Sequence, residues 1–131
     1  LDRVLDRARI ITACEMFGMT QQAFDTTLAY LKQRVQFGQV LATFQALQHR
    51  MAGLFSEIEL TRSAIETALV TLDMGGDAAE AAVLAKTRAN DTLHVMSREA
   101  IQLHGGIGMT DEYDVGFYLK RARPLEQAWG S

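Results

Sequence analysis

Residues 44–72, FQALQHRMAGLFSEIELTRSAIETALVTL, carry the most regular apolar pattern of the chain. Apolar and small side chains recur there at alternating spacings of three and four, which keeps them on one side of a helix for about eight turns. The members of this face are Phe44, Leu47, Met51, Leu54, Ile58, Thr61, Ile65, Ala68 and Leu72. The pattern predicts a long amphipathic helix that buries one face.

Two further long helical segments flank this stretch. Residues 2–35 have apolar side chains at mostly helical spacing, and residues 78–103 are rich in alanine, which permits close packing between helices. The apolar side chains expected to face the core from the first segment are Val4, Ile11, Cys14, Phe17, Phe24, Leu28, Leu31 and Val35. Gly38 and the MGGD sequence at 74–77 separate the segments, and Asp77 is placed to cap the third helix.

No stretch of the chain alternates polar and apolar residues as a half-buried strand does, so the fold class predicted is all-α. We expect an up-down helical bundle of three long helices, followed by one or two short C-terminal helices, the first from the amphipathic stretch 111–122. Three helices of this length leave much apolar surface uncovered in a chain of 131 residues. The bundle is therefore expected to need a partner, either another copy or domains outside this sequence.

Composition narrows the class of function. The formal net charge of −3 and the absence of a basic stripe give no support for nucleic-acid binding. No apolar run approaches the ~18–20 residues of a membrane span. The single cysteine, Cys14, suits a reducing compartment, which leaves the cytoplasm and the mitochondrial matrix both open. The three histidines show no metal-binding spacing, so no metal site is predicted.

The segment IQLHGGIGMTDEY, residues 101–113, places three glycines within four positions after a helical run. A dinucleotide-binding fingerprint needs a strand before its glycines, and here a helix precedes them. Two interpretations stay open. The glycines end the helix and form a turn, or Gly105 and Gly106 expose amide N–H groups that an anion or a flat ring can contact. Glu112, just after the glycines, is interpreted as a first-turn carboxylate at a helix N-terminus.

The segment LKQRVQFGQVLATFQALQ, residues 31–48, is also informative. Arg34 comes at the end of the first helical segment, where a cation complements the C-terminal helix dipole. Phe37 and Gly38 are interpreted as a hydrophobic contact and a break. Gln45 falls in the region of the apolar face, where a buried amide has to find hydrogen-bond partners.

Together the segments RVQFGQVLATFQALQ (34–48), QLHGGIGMTDEY (102–113) and YLKRAR (118–123) resemble the C-terminal helical domain of the acyl-CoA dehydrogenase family. The resemblance covers essentially all 131 residues. It implies that residues 1–131 form one C-terminal helical domain, with the family's N-terminal helical and middle β domains outside this sequence. It also implies FAD as cofactor, held between the middle domain of one subunit and this bundle of its neighbour.

By this resemblance, Arg34 pairs with the FAD pyrophosphate, Phe37 offers the cofactor an apolar face, and Phe44 and Gln45 line the adenine side. The remaining positions that the resemblance assigns to the cofactor are Gln102, Leu103, His104, Gly105 and Gly106. The same comparison assigns Asp6 and Arg9, in the first helix, to orientation of the acyl-CoA substrate.

The family reaction oxidises an acyl-CoA thioester to the 2,3-enoyl-CoA, with a glutamate as the base that removes the α-proton. Its two usual positions are matched here by Ala8 and Trp129, neither of which can accept a proton. Three explanations stay open. Glu126 or another acid acts from a shifted position, the chain is a non-catalytic or diverged subunit of a heteromer, or the base lies elsewhere in the protein or the alignment shifts at the ends. The partners implied are acyl-CoA, a second copy in a homodimer or homotetramer or else a heteromeric subunit, and an electron-transfer flavoprotein as acceptor.

Overall fold

The computed structural model describes residues 1–105, 124, 125, 127 and 128. Within them lie three long helices, α1 (Asp2–Gln33), α2 (Gln45–Asp73) and α3 (Ala79–His104). Two short strands, β1 (Val35–Gln36) and β2 (Gln39–Val40), and a 3-10 turn, Leu41–Thr43, connect α1 to α2. The expected all-α bundle of three long helices is confirmed. The amphipathic stretch 111–122 lies outside the described residues.

The helices run up, down and up. Phe24 of α1 contacts Phe55 of α2, with ring centroids 6.2 Å apart. Further along α2, Cζ of Arg62 lies 4.9 Å from the ring centroid of Phe17, which precedes Phe24 in α1. The two helices are therefore antiparallel. Between α2 and α3, the hydroxyls of Thr61 and Thr92 form a buried hydrogen bond of 2.6 Å. The most extensive packing is between α1 and α3, which run parallel.

The apolar face predicted for residues 44–72 is confirmed. Its six central members, Met51, Leu54, Ile58, Thr61, Ile65 and Ala68, are all buried. Alanines of α3 are buried opposite α1, which allows the close approach that small side chains permit. These alanines are Ala82, Ala85, Ala89 and Ala100. Leu125, in the C-terminal segment, packs into the same core.

The face predicted for the first helix is partly wrong. Val4 and Ile11 are 64% and 67% exposed, and Cys14 and Val35 are exposed as well. The face that α1 buries is built largely from small and hydroxyl residues, Ala13, Thr20, Ala23 and Thr27 among them. The Thr20 hydroxyl donates a hydrogen bond to the Met16 carbonyl at 2.9 Å, so this polar side chain has a partner inside the core. A prediction based only on apolar residues does not place threonines on the buried face.

The connection after α1 corrects two expectations. The helix ends at Gln33 rather than continuing to residue 35, and the chain then forms a β-hairpin where no strand was predicted. Val35 pairs with Val40 and Gln36 with Gln39, which leaves Phe37 and Gly38 as a two-residue turn. Both turn residues have positive φ, 54° and 77°, as a type I′ turn requires. Strands of two residues are too short to show an alternating pattern.

Candidate functional site

The predicted cofactor residues within the described part of the chain gather at one end of the bundle, which we call the hairpin end. It comprises the C-terminus of α1, the β-hairpin, the N-terminus of α2 and the C-terminus of α3. One hydrophobic cluster joins these elements, since Leu31 and Leu41 pack together with Phe44 and Leu103. Gly106, also predicted to contact the cofactor, lies outside the described residues.

Arg34 is the first residue after α1. Its backbone is extended, its N–H donates to the Tyr30 carbonyl at 2.9 Å, and its carbonyl accepts from the Leu41 N–H at 2.8 Å. The side chain is exposed, and within the described part of the chain no carboxylate lies at ion-pair distance from it. The main chain is therefore fixed at both polar groups, while the guanidinium stays available for an anion.

Phe37 occupies the tip of the hairpin and is 93% exposed. Positive φ is uncommon for any residue other than glycine, and a bulky aromatic there is a clear outlier. Hydrogen bonds hold the connection that follows, from Thr43 Oγ1 to the Val40 carbonyl at 2.7 Å and from Gln48 Nε2 to the Ala42 carbonyl at 2.9 Å. The hairpin thus presents an aromatic ring to solvent from a constrained backbone.

Phe44 and Gln45 begin α2 on the same side. Phe44 is the N-cap residue and is partly buried against the hydrophobic cluster. Gln45 was expected in the buried region and is instead exposed, because it is the first residue of the helix and lies before the buried face begins at Met51. Its amide needs no internal partner.

Gly105 ends α3 with φ 64° and ψ −146°, a combination that glycine adopts far more easily than any other residue. Its N–H donates to the Gln102 carbonyl. A Cβ built on Gly105 meets no heavy atom of the described residues within 4 Å, so those residues leave the main chain open at this position. Of the two interpretations left open, the helix end is confirmed at Gly105. The other requires free amide N–H groups, and the N–H of Gly105 is used within the helix end, while Gly106 lies outside the described residues.

His104 differs from its neighbours in the predicted cofactor set. Its side chain is 3% exposed and stacks on Tyr30 with ring centroids 4.2 Å apart. Desolvation by burial lowers the pKa of His104 below its ordinary value of 6.5, so the imidazole is neutral near pH 7. Because this ring belongs to the core, only the main chain of His104 is left to meet a ligand. Leu103 is partly buried in the hydrophobic cluster.

Asp6 and Arg9 lie near the opposite end of α1, about 40 Å from Arg34 along the helix axis at 1.5 Å per residue. Asp6 is 7% exposed, and its Oδ1 lies 3.8 Å from Nη1 of Arg9. Ala8, between them in sequence, is partly exposed within the helix. The other two positions discussed for the base, Glu126 and Trp129, lie outside the described residues.

Asp6 lines a cavity of about 190 Å³, which lies where the turn between α2 and α3 packs against the start of α1. The cavity is lined by Arg3, Asp6, Arg7, Leu72, Gly75, Gly76, Asp77 and Ala78. Asp77 accepts a hydrogen bond from the Ala79 N–H at 3.1 Å, which confirms its expected capping role one residue outside the N-cap position. We call this region the turn end. The sequence marked Gly75 and Gly76 as a helix end but not as part of a site, and it gave Arg3 and Arg7 no role. The signal for these arginines was their helical spacing beside Asp6.

In the ranges given above, no helix has the length and apolar character needed to cross a membrane. The same residues contain no group of three or more histidine, cysteine, aspartate or glutamate side chains arranged to hold a metal ion.

Comparison with known proteins identifies the fold and the family. The family model for the C-terminal domain of acyl-CoA dehydrogenases matches residues 1–131. The chain is 38% identical over 95% of its length to acyl-CoA dehydrogenase IpdE2 of Mycolicibacterium smegmatis, and spans 39% of that protein.

Two solved structures show the same arrangement. Butyryl-CoA dehydrogenase from Megasphaera elsdenii is 31% identical with a TM-score of 0.94, over 97% of this chain and 33% of that one. A variant of the Tcur3481–Tcur3483 steroid ACAD is 34% identical with a TM-score of 0.95, over 100% and 36%. The chain therefore belongs to the acyl-CoA dehydrogenase family, whose C-terminal domain it matches from end to end.

Proposed function

We propose that this chain is the C-terminal, FAD-contacting and oligomerisation domain of a flavoprotein that oxidises an acyl-CoA thioester to the 2,3-enoyl-CoA. The observation that carries the proposal is the hairpin end, which combines an exposed cation at Arg34, an exposed aromatic ring at Phe37 and open main chain at Gly105. A flavin dinucleotide offers the matching groups, since it has a doubly anionic pyrophosphate, flat rings and polar ring edges.

The hairpin end fits FAD group by group. A guanidinium forms charge-assisted hydrogen bonds with phosphate oxygens, the role proposed for Arg34. The exposed ring of Phe37 and the half-buried ring of Phe44 offer apolar contact, and the exposed amides of Gln45 and Gln102 offer hydrogen bonds. Gly105, with Gly106 after it, lets main chain approach the cofactor, and Leu103 and the main chain of His104 complete this set.

The domain is proposed to work within a larger assembly. The chain spans about two fifths of the length of two of its curated relatives. We therefore place the family's N-terminal helical and middle β domains elsewhere in the full-length protein. Asp6 and Arg34 lie roughly 40 Å apart along α1. The turn end and the hairpin end of one chain therefore belong to different binding sites. A homodimer or homotetramer, in which FAD lies between this bundle and the middle domain of a neighbour, satisfies that separation.

The turn end is proposed to serve the substrate. Asp6 and Arg9 orient the acyl-CoA thioester, and the ion pair between them holds both side chains on one side of α1. When bound, FAD supplies the acceptor for the hydride that leaves the β-carbon. The α-proton needs a carboxylate base in a desolvated position, because a thioester α-proton is a far weaker acid than a free carboxylic acid.

The identity of the base separates two candidate functions. Ala8 has no acidic group, and Trp129 matches the other usual position without one. If Glu126 supplies the base, the protein is catalytic by itself. The alternative is a non-catalytic or diverged subunit of a heteromeric acyl-CoA dehydrogenase, which serves assembly and half of the FAD site. Ala8 favours this alternative. The steroid ACAD structure described above is named for two components, Tcur3481 and Tcur3483, as a heteromer would be. In either case an electron-transfer flavoprotein is the proposed acceptor.

The test uses the full-length protein, alone and together with the product of a neighbouring dehydrogenase gene. Flavin absorbance of the purified protein reports FAD binding, and reduction of an artificial electron acceptor reports acyl-CoA oxidation. The proposal is contradicted if the protein is colourless and takes up no FAD, both alone and together with the second gene product.

Two variants decide between the candidates. Glu126→Gln abolishes turnover if Glu126 is the base. Unchanged turnover that requires the second gene product indicates a heteromer whose partner holds the base, and unchanged turnover of the protein alone indicates a base elsewhere in the protein. Glu66→Gln, an exposed carboxylate on α2, is the matched control and leaves turnover unchanged in both cases.

A further inference from the structure

Arg50 of α2 reaches across to α3 and contacts two side chains there. Its Nε donates to Glu99 Oε2 at 3.0 Å, and its Nη2 donates to the same oxygen. The same Nη2 also donates to Gln102 Oε1 at 3.3 Å. Both members of the ion pair are partly buried, so solvent screens the pair less than it screens a fully exposed one. One guanidinium therefore connects a fixed carboxylate to the amide of Gln102.

This contact determines which way the Gln102 amide is turned. A guanidinium carries only donors, so the amide atom that faces Arg50 has to be the oxygen. The two amide hydrogens on Nε2 are then left for another partner. Within residues 1–105 and the described C-terminal positions, no acceptor is hydrogen-bonded to Nε2, and the residue is exposed.

We propose that Arg50, held by Glu99, is a positioning residue that turns Gln102 so that its amide N–H groups meet a hydrogen-bond acceptor on the bound FAD. The inference rests on the proposed FAD role of Gln102 and adds the orientation of that contact. A glutamine side chain has three rotatable bonds, and ordering it on binding weakens affinity. Arg50 orders the side chain before the cofactor arrives.

The geometry also predicts why lysine is a poor substitute for Arg50. A lysine ammonium can pair with Glu99 as a point charge, but it lacks the planar fork that places donors on two acceptors at once. Arg50→Lys therefore keeps the ion pair between the helices and releases Gln102. This variant separates the positioning role from the stability of the bundle.

A matched control lies about two helical turns further along α2, where Glu57 is seven residues beyond Arg50. Arg88 of α3 also forms an ion pair with α2, donating from Nη2 to Glu57 Oε2 at 2.9 Å. Within the described part of the chain, Arg88 forms no ion pair or hydrogen bond with a predicted cofactor residue, so Arg88→Met removes an ion pair between the same two helices and leaves Gln102 in place.

The experiment is titration of the full-length apoprotein with FAD, followed by flavin fluorescence, for single and double variants. We expect Arg50→Met and Arg50→Lys to weaken FAD binding by about 3- to 10-fold, the range that follows from releasing one side chain. In a Gln102→Ala background, the same Arg50 substitutions have no further effect. Arg88→Met leaves the FAD dissociation constant unchanged, and thermal denaturation of the apoproteins shows which variants remain folded.

The amide orientation has its own readout. Gln102→Glu puts two acceptors where the proposal requires a donor, so it weakens FAD binding more than Gln102→Ala does. The proposal is overturned if Arg50→Lys has no effect, if its effect persists in the Gln102→Ala background, or if Gln102→Glu binds as well as the unaltered protein. Failure of the proposed function looks different, because the unaltered protein then takes up no FAD at all.

Discussion

The two ends of the bundle differ in how their polar groups are used. At the hairpin end, Arg34, Phe37 and Gly105 are all exposed, and two of the three have backbone angles that most residues avoid. At the turn end, Asp6 is buried, paired with Arg9 and placed beside a small cavity. The hairpin end is an open surface suited to bind a large ligand. The turn end instead buries one small polar group, the carboxylate of Asp6, beside a cavity. This difference supports separate roles for the two ends.

The largest effect is expected from removing the cation of the hairpin end. Arg34→Ala should weaken FAD binding about 10- to 100-fold, because a charge-assisted hydrogen bond contributes about 1.5–3 kcal/mol. The free energy of unfolding should change little, since the side chain is exposed. Lys32→Ala removes an exposed positive charge two residues earlier and should leave the affinity intact. Equal effects of the two variants, measured by FAD titration, would mean that only net charge matters.

The next effect concerns glycines in two different backbone conformations. Gly105→Ala should lower the free energy of unfolding by about 1–3 kcal/mol, because an L side chain is strained at its φ and ψ. Gly53 lies in the middle of α2 and faces open space, so Gly53→Ala should raise stability by up to about 1 kcal/mol. Denaturant unfolding measures both. A stabilising Gly105→Ala would contradict the backbone account of this turn.

The third prediction addresses the turn end. Asp6→Asn keeps the shape of the side chain and removes its charge, so the ion pair with Arg9 is lost. We expect KM for the acyl-CoA substrate to rise by up to about 5-fold, since an ion pair with one partly exposed member contributes about 1 kcal/mol or less. The FAD dissociation constant should not change. A parallel loss of FAD affinity would mean that the two ends are not separate sites.

The smallest effect is expected at the hairpin tip. Phe37→Asn places a residue that tolerates positive φ in the type I′ turn, so it should raise the free energy of unfolding by a few tenths of a kcal/mol. The same change removes the exposed ring and should weaken FAD binding a few-fold. A variant that gains both stability and affinity would show that the ring has no part in the cofactor site.

Sequence reasoning succeeded where one physical rule dominated. The face of α2 is apolar at regular spacing, and Met51, Ile58 and Ile65 are buried as expected. It succeeded only in part for α1, where Phe24 and Leu31 are buried as expected. There the helix packs against a partner rich in alanine and buries Ala13 and Thr27, while Ile11 stays exposed. Exposed apolar residues on α1 fit a surface that another chain or domain covers.

For the candidate site, the sequence motifs identified positions but not their surroundings. The resemblance named Phe37 and His104 alike, and yet one is at the tip of a strained turn and the other is buried against Tyr30. The contact between Arg50 and Gln102 joins residues 52 positions apart, so no local pattern could reveal it. Contacts between helices decide which side chains of a motif remain available.

The most direct test of the central claim is amide hydrogen exchange of the full-length apoprotein with and without FAD. The account predicts slower exchange in peptides that cover residues 34–44 and 102–105 when FAD is present. It predicts no change in peptides covering the turn between α2 and α3, residues 74–78. Slower exchange confined to that turn, with none at the hairpin, would contradict the assignment of FAD to the hairpin end.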